Sequence, residues 1–276
     1  MRGRPGRFPF APKGRAVDTT PIEQVSFVFL DVETTGLSAR KGDRIVEICA
    51  RRIRGGSLEA ELDTLVDPTR EIPAEATRVH GIDASALEGA PTEAEAVVRM
   101  APLFEGAVMV AHNARFDRGF VEDALTRNGH SSPAIEPIDT LAISRRLWIA
   151  HPDGHSLGAL AGRLGIENRA PHRARGDVGV LIDAWPLLLE AIDRERRPLT
   201  CLGDLRAFLE GRCERETALH ASEVERPLAI RYLAERAEVR DALLERFDVD
   251  GDTLAAEIEG EPRRLRFSKV LRAWLG

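Results

Sequence analysis

The sequence predicts a mixed α/β fold, a five-stranded sheet flanked by helices, with a small mostly helical C-terminal region. Three observations carry this. Three strand-like segments joined by short turns fill residues 25–66, strands and helices then alternate to residue 195, and beyond Pro198 the segments read as helices.

The apolar run Val25 to Asp31 reads as a buried central strand that ends in an acid and leads into a Thr-Thr-Gly loop. Arg44 to Ile53 alternates in part and reads as a second strand; Gly55-Gly56 makes a turn into a third, Leu58 to Val66. Three such strands in succession suggest an antiparallel meander. Pro73 to His80 and Thr92 to Phe104 read as helices, each opened by Pro or Thr. Val108 to Ala111 is a short apolar strand, and Ala114 to Asn128 spaces Phe116, Phe120, Val121 and Leu125 as one helical face closed by Gly129. Pro137 to Thr140 is the fifth strand, followed by a helix from Leu141 to Ile149. Ser156 caps a helix that stops near Gly165, and Asp177 to Glu195 forms another. The C-terminal helices are expected at Gly203 to Gly211, Ser222 to Phe247 and a last one ending near Trp274. The resulting division is a flexible basic tail (1–22), a main domain (23–196) and a helical accessory region (197–276).

Composition narrows the function. Charged residues are 30% and apolar ones 43% of the 276, an ordinary globular balance. No run of 18 apolar residues spans a bilayer, and the basic start leads into Phe-Pro-Phe-Ala-Pro rather than a secretory core, so a cytoplasmic location is the default expectation. Cys49, Cys201 and Cys213 are too few and scattered for a disulfide framework or zinc site. A net charge of −6 argues against an extended basic surface gripping duplex DNA. It leaves room for an enzyme whose local carboxylates hold cations that attract phosphate.

Four acids fit that description. Asp31 and Glu33 stand two apart at a strand end, so both side chains share one face at the sheet's carboxyl edge. Asp117 and Asp177 each fall in the first turn of a helix, where the dipole alone favours an acid. Converging on one edge, four carboxylates repel unless cations neutralise them. Hard oxygen ligands imply two divalent cations, Mg²⁺ or Mn²⁺, which about 4 Å apart clamp both oxygens of a phosphodiester displacement. His172 precedes the Asp177 helix. A loop histidine is ordinarily a solvent-facing residue, but from this position it can act as a general base.

The segments F-L-D-V-E-T-T-G-L (29–37), A-H-N-A-R-F-D (111–117) and H-R-A-R-G-D-V (172–178) resemble the three motifs of the DEDDh exonucleases, and D-P-T-R-E-I-P-A-E-A-T-R-V-H-G-I (67–82) resembles the stretch between the first two. That family includes the proofreading subunit of bacterial replicative polymerases. The resemblance covers residues 25 to 195. It implies a ribonuclease H-like fold, two divalent cations, and hydrolysis from the 3′ end that releases nucleoside 5′-monophosphates. It further implies that Asp31 bridges both metals, that Glu33 and Asp177 hold the one activating water, that Asp117 holds the second, and that His172 takes the proton from the nucleophile. By the same resemblance the backbone of Thr34, Thr35, Gly36 and Leu37 meets the terminal nucleotide, with Leu37 on its base and Glu33 near its 3′-hydroxyl. Phe116 belongs to the same substrate-binding set, and His80 and Asn113 order the site. The expected substrate is a single-stranded DNA 3′ end, in proofreading or repair-type trimming. RNA stays open, because the motifs read phosphate and sugar. A catalytically silent nucleic-acid-binding module is the rival of another class, and such proteins usually lose a ligand that this sequence retains. The accessory region is a candidate for docking a polymerase or a second copy of the chain.

Two C-terminal features read as ordinary surface. Asp248, Asp250, Asp252 and Glu259 mimic a calcium loop, but its sixth position is Thr253 rather than glycine, so an acidic turn is expected. Arg263, Arg264 and Arg266 beside Phe267 and Trp274 are expected to face water around a packed core.

Overall fold

A computed structural model of the chain describes residues 18–130, 137–149, 151–195, 199–224, 226–234 and 238–275. The apolar segment after residue 25 forms β1 (Ser26–Thr34), which pairs antiparallel with β2 (Ile45–Arg54), itself antiparallel to β3 (Ser57–Leu65). On its other side β1 pairs parallel with β4 (Val108–Ala111), and β4 with β5 (Ile138–Asp139), giving the order β3-β2-β1-β4-β5. This is the expected five-stranded mixed sheet.

Because β1 is buried on both faces, its alternation divides two cores. Val28, Leu30 and Val32 pack with residues of α2 (Glu93–Met100) and α3 (Arg115–Arg127). Phe27 and Phe29 face the other way, against α6 (Ala174–Glu195), where the Trp185 ring lies 4.9 Å from Phe27 and 5.7 Å from Phe29. Asp31 and Glu33 continue the Phe27–Phe29 face beyond the end of this aromatic contact. The remaining helices are α1 (Ala74–His80), α4 (Thr140–Leu147) and α5 (Leu157–Leu164). The caps follow the sequence: Thr92 and Glu95 form a capping box on α2, while Ser156 accepts from the Ala159 N–H at the start of α5.

The C-terminal region corrects the expectation of a mostly helical appendage. Only α7 (Leu202–Glu210) and α8 (Arg212–Glu223) are helical. Six strands follow: β6 (Leu228–Leu233), β7 (Val239–Leu244), β8 (Phe247–Asp250), β9 (Thr253–Ile258), β10 (Glu261–Arg266) and β11 (Val270–Leu275), in two three-stranded sheets. The segment expected as one helix from Ser222 to Phe247 has abundant Ala, Leu, Glu and Arg, good helix formers. Packing overrides propensity there, since Leu228, Ile230 and Tyr232 alternate inward onto a core with Leu244, Leu254 and Phe267. The acidic Asp248–Asp252 stretch is the β8–β9 hairpin, with Gly251 at φ +59° in its turn, and Arg263, Arg264 and Arg266 lie exposed on β10 over the buried Phe267.

The expected tail ends earlier than residue 22. Residues 18–22 lie against α7: Pro21 bridges Cys201, the Leu202 N–H donates to Thr20 O, and Asp18 pairs with Arg206. Residues 1–17 and the Pro198 boundary lie outside the described residues. Arg146 of α4 and Glu214 of α8, both buried, form a 2.6 Å ion pair that ties the main domain to the C-terminal sheets, and Arg146 also donates to Ser268 O. No described helix is long and apolar enough to cross a membrane.

Candidate active site

β4 is short, and its register with β1 ends at Phe29. Further along β1, the Val32 N–H donates instead to Oδ1 of Asp117, 3.2 Å away in the first turn of α3. The truncated strand thus lets α3 deliver its acid to the end of β1. From the opposite face α6 delivers Asp177, held by the Asn168 side-chain amide (2.7 Å) and the His172 N–H (3.2 Å). One carboxylate oxygen each of Asp31, Glu33 and Asp177 then lie within 4.8 Å of one another. Three of the four expected acids form this cluster, and Asp117 adjoins it as the strongest charged influence on Asp31.

Electrostatics record the strain of this convergence. Burial first, then the charges of Asp117, Glu33, Asp177 and Glu47, push the Asp31 carboxyl well above the usual range. Burial together with Asp177 and Glu47 raises Glu33 to about 7. Burial pushes Asp117 up to about 8, against the opposing pull of backbone N–H groups, and it raises Asp177 as well. Among the described residues neither the Asp31 nor the Glu33 carboxylate accepts a hydrogen bond or an ion pair within 4 Å. An oxygen-only donor set, crowded and lacking a protein cation in contact, suits hard divalent cations.

The loop after β1 is built tightly. Thr34 Oγ1 donates to Gly36 O (2.6 Å), the Thr35 N–H donates to Arg44 O, and Thr35 Oγ1 accepts the Arg44 N–H. A Cβ at Gly36 would lie 2.5 Å from Asp43 Oδ2, so a side chain there would have to displace the carboxylate that accepts the Ser38 N–H. The loop leaves Leu37 87% exposed, in a groove with Asn113 and Phe116. The Phe116 ring packs tilted by 50° against Phe120, 4.9 Å between centroids, and Asn113 adopts φ +63° with its N–H on Asp139 Oδ1. His80 is buried at the end of α1, and its Nδ1 accepts from the Ile82 N–H. His172 is exposed at φ +59°, with its backbone rather than its ring on Asp177.

Sequence reasoning missed Glu47. This buried acid on β2 faces Glu33 across the ladder and accepts both arms of the Arg173 guanidinium (2.7 and 3.1 Å) and the Ala174 N–H (2.9 Å). It therefore anchors the residue after His172 and the start of α6. Its signal was an acid inside the apolar run Ile45-Val46-Glu47-Ile48. Also missed were Asn168 and Asp139, the latter accepting from the Asn113 and Leu141 N–H groups. His112 hydrogen-bonds Thr140 Oγ1 and His155 O, fixing the turn between β4 and α3.

Paired acids at the carboxyl edge of a mixed sheet, reached by a helix from each face, make an arrangement that can hold a divalent cation of the kind used in phosphoryl chemistry. The model of the family described as exonuclease (RNase T) matches residues 28–184, more than half the chain. The chain belongs to this exonuclease family. A Rhodobacter capsulatus protein named DNA polymerase III subunit epsilon-like is 42% identical over 194 residues, covering 68% of this chain and 27% of the relative. Among solved structures, E. coli exonuclease I in complex with a dT13 oligonucleotide has TM-score 0.61 and 19% identity over 84% of this chain and 55% of its own. The nuclease domain of 3′hExo, a DEDDh family member bound to rAMP, has TM-score 0.52 and 12% identity, covering 64% and 96%. These two likenesses are of fold. The chain spans about a quarter of the Rhodobacter relative's length and just over half of exonuclease I.

Proposed function

We propose that the chain is a metal-dependent 3′→5′ exonuclease that removes nucleoside 5′-monophosphates from single-stranded DNA 3′ ends, in proofreading or repair-type trimming. The carrying observation is the meeting of Asp31, Glu33 and Asp177 within 4.8 Å, with Asp117 alongside. These four residues would hold two divalent cations, Mg²⁺ or Mn²⁺. Such cations, when bound, offset charge on the phosphodiester and acidify the attacking water. A ring nitrogen of His172 accepts the water's proton; the new O–P bond forms as the P–O3′ bond breaks, and the shortened strand leaves with its 3′-oxygen. The backbone of Thr34 to Leu37 seats the terminal nucleotide, with Leu37 against its base. Phe116 belongs to the same substrate-binding surface, while His80 and Asn113 keep the flanking loops in place. DNA is favoured over RNA by the 42% identical relative named for a DNA polymerase subunit. Residues 197–276 we assign to docking a polymerase or a second copy of the chain, which size-exclusion chromatography with and without polymerase tests.

A 5′-labelled single strand should shorten one nucleotide at a time in Mg²⁺ or Mn²⁺, faster as DNA than as RNA of equal sequence. His172→Ala should lower kcat by about 10²–10⁴-fold, the usual share of a general base, and Asp31→Ala should abolish turnover. Undiminished activity in Asp31→Ala overturns the reading, and faster RNA trimming reverses the substrate.

A further inference from the structure

A groove of about 680 Å³ runs from Leu37 and Asn113 past Phe116 along one side of α3, which packs there against the short 3₁₀ turn Ala39–Lys41. Its far-end acids already have cationic partners: Glu122 pairs with Arg118 at 3.5 Å, and Asp123 pairs with Arg127, which also holds Glu93. Two of its arginines are not. Arg40, on the 3₁₀ turn, and Arg115, beside Asn113, are both exposed and make no side-chain hydrogen bond or ion pair among the described residues. Several neighbouring arginines already have partners. Arg173 is held by Glu47, Arg70 reaches Asp43, and Arg44 donates to the Asp43 backbone. In a chain of net charge −6, two uncommitted guanidiniums flanking a ring that can stack form a local complement to phosphate.

Resting on the exonuclease reading above, we infer that Arg40 and Arg115 bind the phosphates of the nucleotides immediately upstream of the scissile bond, with Phe116 beneath a base between them. The groove thus takes a single strand of several nucleotides. A guanidinium on each flank contributes charge and reach without reading bases, so this subsite confers grip and length preference rather than sequence preference.

The test compares two substrates. One is a single-stranded decanucleotide; the other is the p-nitrophenyl ester of thymidine 5′-monophosphate, which has no upstream phosphate. Arg40→Ala and Arg115→Ala should each raise KM for the decanucleotide by about three- to tenfold, as the loss of an exposed charge-assisted contact does. Each should also reduce the slope of log(kcat/KM) against log[salt] by about 0.7. The ratio of decanucleotide to ester kcat/KM should fall accordingly. Arg194→Ala, which removes an exposed arginine at the far end of α6, should leave KM and slope as they are. Equal losses on both substrates, unchanged KM and slope, or the same loss in Arg194→Ala would overturn the subsite. If the unaltered protein cleaves neither substrate, the exonuclease reading itself fails.

Discussion

Asp31 sits in β1 directly after five buried residues, and four further acids, Asp117, Glu33, Asp177 and Glu47, crowd it there. The folded chain therefore holds protons that the unfolded chain releases. With Glu33 raised to about 7 and Asp117 to about 8, the stability these groups allow is fully present below pH 4 and is lost as pH rises through 7 and 8. In chelator, Tm is expected to fall between pH 5 and pH 8, and Mg²⁺ should restore it at pH 8 far more than at pH 5; a flat metal-free profile contradicts this. Glu47 acts one step removed. Glu47→Gln should lower kcat by about 10–100-fold, as loss of a supporting partner does, with little change in KM. Combined with His172→Ala it should add almost nothing if it acts through that loop; full additivity contradicts the assignment. Asp31, Glu33, Asp117 and Asp177 were legible because each stands at the end of a strand or the start of a helix. Glu47, Asp139 and Asn168 were not, because their meaning lies in distant partners: Arg173 is 126 residues from Glu47.

At the scale of elements, β1 positions two acids by its period of two, and a helix on each face supplies one more. The start of α6 is set by close backbone approach: a Cβ on Gly176 would lie 2.2 Å from Ala170 O, in the loop that carries His172. Gly176→Ala should therefore cost about 1–3 kcal/mol of stability as overpacking, and reduce kcat together with it. Circular-dichroism melts beside initial rates check this, and an unaltered Tm contradicts it. The five strands, their caps and the Gly165 stop were readable because local propensity and burial agreed. They disagreed after Ser222, where Arg231 and Asp241 pair across β6 and β7 in a stretch whose composition suits a helix. Alternation of Leu228, Ile230 and Tyr232 was the only local hint of strand there, and it covers just five residues.

Across the whole molecule, the C-terminal sheets are tied to the main domain by charge as well as by apolar surface. Leu202, Leu205 and Phe208 of α7 join the core that holds Phe27 and Phe29, and the Arg146–Glu214 pair is buried where α4 meets α8. Arg146→Ala should cost about 3–5 kcal/mol, since it strands a buried carboxylate, whereas Arg146→Met combined with Glu214→Leu should cost far less. Equal melting curves for the single and double variants would contradict that reading. This attachment was invisible in the sequence, where Arg146 reads as one more cation in the last turn of a helix.

All of this chemistry requires that carboxylates drawn from β1, α3 and α6 jointly hold divalent cations. Isothermal titration of Mn²⁺ into the metal-free chain at pH 8, beside Asp31→Asn, addresses that requirement most directly. Two bound ions per chain are expected for the unaltered protein, with the stoichiometry halved or the affinity lost in the variant. Binding that is absent in the unaltered protein, or identical in Asp31→Asn, would contradict it.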